Sequence, residues 1–215
     1  LRRRQRQMCI RDRGRIAPRF IAEAKYVSGL TIEYAYNPVK DSAQSFTANE
    51  KIKCITQDYN SFLDKVDAVY IASPNETHYE YARRAIEAGK HVLSEKPLSF
   101  TKNESEELYS LAKKNKVVLM EAVKAAYCPG FQQLVNVAKS GKIGKIIDVE
   151  ASFTRLADKA SRERTDAKYG GSFLEFGPSV LVPVIKLMGS DYERVSFDSI
   201  YDESGVDIYT KADIR

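Results

Sequence analysis

Two short stretches of this 215-residue chain carry residue types that could do chemistry on a small molecule. One is Ser73-Pro74-Asn75, with His78 three positions after the asparagine; the other is Glu95-Lys96-Pro97. Each follows an apolar run, "VDAVYIA" (66–72) and "KHVLS" (90–94), of the kind that is buried in a parallel sheet. Open parallel sheets bind ligands in the crevice outside the carboxyl ends of their strands, where these residues would stand. A lysine there can neutralise, orient or protonate a substrate oxygen, since burial lowers a lysine's pKa toward a useful range. Taken alone, E-K-P reads more readily as a solvated loop with proline fixing the turn. The S-P-N-x-x-H upstream, at its spacing, reverses that balance. The Lys96–Pro97 bond is a candidate for the cis form, which occurs in tight turns at functional sites.

The elements that must position these residues alternate between helix and strand. Ile16, Phe20, Ala24 and Val27 recur at helical spacing, with Pro18 in the first turn and Gly29 as a stop. "LTIEYAY" (30–36) alternates as a strand, "VKDSAQSFTANE" (39–50) as a short amphipathic helix, and "KIKCITQ" (51–57) as a short strand. A helix closed by Gly89 follows S-P-N, and Thr101 with Glu104 forms a capping box for a helix to about Asn115. "KVVLME" (116–121) is a further strand. This βαβ alternation predicts an α/β fold, a Rossmann-type doubly wound parallel sheet, over residues 14–123.

From residue 124 the texture changes. "PGFQQLVNVAKSG" reads as a helix, and "GGSFLEFGPSVLVPVIKLMG" as an apolar helix interrupted by Pro178 and Pro183. "GKIIDVEASFTR" (144–155), "ERVSFDSIYD" (193–202) and "VDIYTKADIR" (206–215) alternate as strands. Residues 124–215 are therefore expected to form a second, incomplete α+β domain.

Charge excludes some functions. The net charge is +5, and residues 1–13 alone hold six arginines against one aspartate, so residues 14–215 balance to zero. A nucleic-acid binder carries its basic stripe on the folded surface, not only on a terminal tail. No apolar run reaches the ~20 residues that span a bilayer, and the arginine-rich start lacks the apolar core of a secretory signal. Cys9, Cys54 and Cys128 form no C-x-x-C pair and fit small buried or half-buried residues in a reduced, cytoplasmic setting. His78 and His91 have no third ligand near them in sequence, so no metal site is expected.

At this point the chain resembles the Gfo/Idh/MocA family of oxidoreductases. The resemblance lies in "GRIAPRF", "DAVYIASPNETHYEYARRAIEAGKHVLSEKPLS", "VVLMEA", "IGKIIDVEASF" and "GGSFLEFG", and is closer over the first 130 residues than beyond. It implies a Rossmann domain for NAD or NADP, then, over residues 124–215, a partial substrate domain whose open, mostly antiparallel sheet often serves as an oligomer interface. It implies hydride transfer to or from a sugar, inositol or related polyol or keto compound, by a homo-oligomer when full length. Lys96 takes the place of the family's catalytic and substrate-positioning lysine. Family cofactor contacts fall on Gly14, Arg15, Ile16, Asn37, Ser73, Pro74, Asn75, His78, Glu95 and Lys96. In "GGSFLEFGPS", Glu175 takes the position of a catalytic aspartate and Ser179 that of a histidine. Serine is no general base without an activating partner, which leaves Lys96 alone, Tyr127, or a different chemistry. Glu175 reads as well as a helix-surface or capping carboxylate. A non-catalytic dinucleotide-binding regulator on the same fold is the alternative. Asn37 in "YAYNPVK", with Lys40 after it, leans toward NADP or dual use, because a ribose-binding acid is missing.

The family's first strand and glycine turn should fall near residues 7–17. There G-x-G-x-x-A becomes Asp12, Gly14 and Ala17, and "LRRRQRQMCIRDR" does not read as a buried strand. Residues 1–13 are therefore expected to be a non-native tail and the chain an interior piece of a longer enzyme. Weak dinucleotide binding by the chain as written follows from the missing strand and glycine.

Overall fold

The computed structural model describes residues 6–12, 16–39, 52, 54–158 and 160–215, with the backbone alone for 6–12, 54 and 55. Contacts divide the chain into two compact units, residues 1–122 and 123–215.

Among the described residues of the first unit six strands form one parallel sheet: β1 (Arg6–Asp12), β2 (Leu30–Tyr36), β3 (Cys54–Thr56), β4 (Ala68–Ala72), β5 (His91–Ser94) and β6 (Leu119–Glu121). Their order is β3-β2-β1-β4-β5-β6, the doubly wound order that reverses between β1 and β4. The segment that looks unfit for a buried strand thus supplies the central one. Met8 to Asp12 pair with Ala68 to Ala72, and Arg6 to Ile10 run beside Leu30 to Ala35. A ladder is made of backbone N–H and C=O groups, which arginine carries as well as valine does, so the slot between β2 and β4 accepts this segment. β4 is buried at every position, as its continuous apolar run requires.

Helix α1 (Ile16–Ala24) packs through Ala17, Ile21 and Ala24 rather than through the expected Ile16 and Val27, which are 39% and 56% exposed. The small Ala17, fully buried, lets the helix approach the sheet closely. Asp58 caps α2 (Tyr59–Leu63), its carboxylate accepting the Asn60 and Ser61 N–H groups at 3.1 Å. The short helix expected at 39–50 lies outside the described residues but for Val39. A single 3₁₀ turn, Asn75–Thr77, leads into α3 (His78–Glu87). That helix ends with Lys90 N–H on Ala85 O and Gly89 N–H on Ile86 O, and Gly89 has the positive φ this motif needs. The capping box of Thr101 and Glu104 starts α4 (Lys102–Asn115) as expected. Lys116 then takes a left-handed conformation (φ 56°), so β6 begins later than the sequence suggests, at Leu119.

The second unit holds α5 (Lys124–Tyr127), α6 (Pro129–Lys139), α7 (Arg162–Thr165), α8 (Ser172–Met188), β7 (Val195–Tyr201) and β8 (Asp207–Ile214). β7 and β8 pair antiparallel. α8 continues through Pro178 and Pro183 where an interruption was expected. Residues 144–155 do not form the expected strand. Alternation gives a segment two faces, but a strand also needs a neighbour for its backbone groups, and here Ile147 (87%) and Phe153 (52%) stay exposed. Cys128 is exposed just before α6, not buried as its residue type suggests.

Candidate functional site

β4 and β5 pair in register up to Ile71 and Ser94, and Glu95 N–H extends the ladder to Ile71 O at 2.8 Å. The S-P-N and E-K-P turns therefore leave the sheet side by side at its carboxyl end. Between Lys96 and Pro97 the peptide bond is cis. The backbone around Lys96 is held from several directions. Glu95 accepts the Tyr70 hydroxyl at 2.6 Å, and the buried Tyr70 ring stacks on Phe20 at 3.9 Å between centroids. Leu98 N–H donates to Glu121 Oε1 at 2.9 Å, and Ala122 N–H to Ser94 O at 2.7 Å. Pro97 O lies 2.7 Å from Nδ1 of His78. Lys96 itself is half-buried.

The S-P-N turn is closed by Thr77, whose hydroxyl lies 2.7 Å from Ser73 Oγ and whose N–H donates to Pro74 O at 2.9 Å. Ser73 is buried, while Pro74 and Asn75 are half-buried. Beyond β2, Asn37 is buried and its Oδ1 accepts the Val39 N–H at 2.9 Å. Ile16 opens α1 at the same end of the sheet; Gly14, Arg15 and Lys40 lie outside the described residues.

His78, implied by the resemblance as a cofactor contact, has a fully buried ring, with Nε2 2.8 Å from Ser73 O and Nδ1 2.7 Å from Pro97 O. Burial pushes this imidazole below its ordinary pKa, while the Pro97 and Ser73 carbonyls, Glu95 and Glu76 act in the opposite direction. Tyr70, Thr77 and Glu121 are functional supports that sequence reasoning missed. Glu121 had a signal: a carboxylate directly at the end of an apolar strand, the same pattern that singles out Lys96.

Tyr127 and Glu175 belong to the second unit. Tyr127 ends α5 and is 53% exposed. Glu175 lies in the first turn of α8, half-buried, its N–H donating to Gly171 O at 3.1 Å. Asp207 of β8 fixes that helix start by accepting the Phe173 N–H at 2.7 Å. Gly170 and Gly171 are both required by the backbone. A Cβ on the first would meet Asp166 O at 2.6 Å; the second has φ +99° and would place a Cβ 1.9 Å from Asp207 Oδ1.

Residues 13–123 match the family model described as "Oxidoreductase family, NAD-binding Rossmann fold". The chain is 32% identical over 202 residues to scyllo-inositol 2-dehydrogenase (NADP(+)) IolU of Bacillus subtilis (strain 168), covering 89% of the chain and 61% of that protein. It is 35% identical over 133 residues to dTDP-3,4-didehydro-2,6-dideoxy-alpha-D-glucose 3-reductase of Actinomadura kijaniata, covering 61% of the chain and 40% of that protein. Among solved structures, a mutant of KijD10, a 3-ketoreductase from Actinomadura kijaniata in complex with TDP-benzene and NADP, superposes with a TM-score of 0.78 at 25% identity. That likeness covers 96% of this chain and 69% of KijD10. The chain spans 61% and 40% of the lengths of the two curated relatives. With more than half its length matched by the family model, the chain belongs to the Gfo/Idh/MocA family of oxidoreductases with an NAD-binding Rossmann fold.

Proposed function

We propose that this chain contains the dinucleotide-binding part, and a portion of the substrate part, of an NAD(P)-dependent oxidoreductase acting on a sugar, an inositol or a related polyol or keto compound. The observation that carries this is the E-K-P turn, fixed by Tyr70, His78 and Glu121 so that Lys96 stands at the end of β5 beside S-P-N. The strand order fits a dinucleotide, since it reverses between β1 and β4, and Ser73 to Asn75 follow β4 at that crevice. A bound NAD(P) supplies or accepts the hydride. Lys96 handles the proton: in reduction its ammonium hydrogen-bonds the carbonyl oxygen and protonates it, and in oxidation the amine takes the proton back from the hydroxyl. Tyr127 and Glu175 are the second unit's candidates for holding substrate hydroxyls.

Asn37 supports NADP or dual use. Its uncharged amide accepts the Val39 N–H through Oδ1 and carries no negative charge that would repel a 2′-phosphate. The names of the two NADP-associated relatives point the same way. The cytoplasmic assignment is supported by the exposed thiol of Cys128, and self-association by exposed Phe197, Ile200 and Tyr209 on the β7–β8 pair.

The test is nicotinamide absorbance with scyllo-inositol, other polyols and nucleotide-linked keto-sugars as substrates, using the chain extended with the C-terminal part of a family member. Turnover with at least one of these compounds is the expected result. Saturable dinucleotide binding with no turnover across the panel would replace this proposal with a non-catalytic role.

A further inference from the structure

We propose that His78 is a positioning residue, a buried strap that fixes the S-P-N turn against the E-K-P turn and thereby sets where Lys96 stands relative to a bound dinucleotide. The inference rests on the dinucleotide reading above. Its basis is geometric. Nε2 lies 2.8 Å from the carbonyl of Ser73, and Nδ1 lies 2.7 Å from the carbonyl of Pro97, in a ring with no exposed surface. These carbonyls belong to turns that follow different strands, five and nineteen residues from His78. Pro97 has no N–H of its own, so its carbonyl is the polar backbone group through which that residue can be held.

A carbonyl oxygen only accepts. Both contacts are hydrogen bonds only while the ring carries a proton on each nitrogen; a neutral imidazole has a single N–H and sets a lone pair against the other carbonyl. The charged groups that face the ring are Glu95, beyond the end of β5, and Glu76, in the 3₁₀ turn, and both favour the doubly protonated form. Burial opposes it and lowers the pKa from the ordinary value. The complete strap therefore belongs to the acid side of that lowered pKa, and one tie is released as pH rises through it. Nothing on Lys96 need titrate for this to move the E-K-P turn.

The experiment follows ¹⁵N-histidine-labelled chain by NMR from the lowest pH at which a melting curve shows it folded up to about pH 8, above the ordinary imidazole range. Two slowly exchanging ring N–H protons on His78 at the acid end, and one at the alkaline end, are expected. A single N–H at every pH, or none, overturns the strap. NAD⁺ is titrated into the same samples and into His78→Gln, because NAD⁺ has no 2′-phosphate to complicate the profile. Melting curves show whether the variant folds. Folded His78→Gln should bind NAD⁺ about five- to tenfold more weakly than the parent at the acid end, the worth of one buried hydrogen bond, with the gap narrowing as pH rises. Equal affinity at every pH overturns the positioning role. Where Asp12 keeps the parent from binding NAD⁺, the same comparison is made in Asp12→Gly; absence of NAD⁺ binding there removes the dinucleotide reading instead, while the N–H signals still decide the strap.

Discussion

Lys96 and the groups that hold it make separable predictions. Removing a general acid costs about 10²–10⁴-fold in turnover, so Lys96→Ala should lose rate on that scale. Its dinucleotide affinity should change by less than about fivefold, because the Ser73–Asn75 turn and the sheet are untouched. Single-turnover rates beside binding curves check this; an equal loss in both would make Lys96 a binding residue only. Glu121→Ala would leave the N–H of buried Leu98 without its acceptor, a loss of about 1–3 kcal/mol in a urea melt. Glu121→Gln keeps a carbonyl oxygen there and should recover most of it. The sequence displayed Ser73, Asn75, Glu95 and Lys96 because each is polar directly after an apolar run. It hid the roles of Tyr70 and His78, which depend on a side chain crossing between segments twenty-five and nineteen residues apart.

Among the elements, two substitutions should act in opposite directions. Gly171 opens α8 with φ 99° and ψ 161°, a region that other residues avoid, and a Cβ would collide with the carboxylate that caps the helix. Gly171→Ala should therefore cost at least about 1–3 kcal/mol and loosen the helix start that carries Glu175. Lys116 ends α4 in the left-handed conformation, where Lys116→Gly relieves strain and should raise stability by up to about 1 kcal/mol. Thermal melts of the two variants read both signs. The same elements show where sequence patterns stop. Caps and glycine stops were legible because they are local, as with Thr101, Glu104 and Gly89. Residues 144–155 misled because alternation names a face and not a partner strand. β1 misled the other way, since its pairing uses backbone groups and arginines do not forbid it.

For the whole molecule, the central claim is that a dinucleotide binds where β1, β4 and β5 end. Asp12 is the weak point, because its Cα pairs with Ala72 at the reversal of strand order, where the family pattern has a glycine. A carboxylate near a pyrophosphate ~4 Å away repels by roughly 1 to 4 kcal/mol, which corresponds to about five- to several-hundred-fold in affinity. The decisive measurement is a fluorescence titration of NADPH into the chain and into Asp12→Gly. The account predicts one saturable site per chain in Asp12→Gly, at least about fivefold tighter than in the parent. No saturation in Asp12→Gly up to millimolar NADPH, or identical curves for the two proteins, would contradict it.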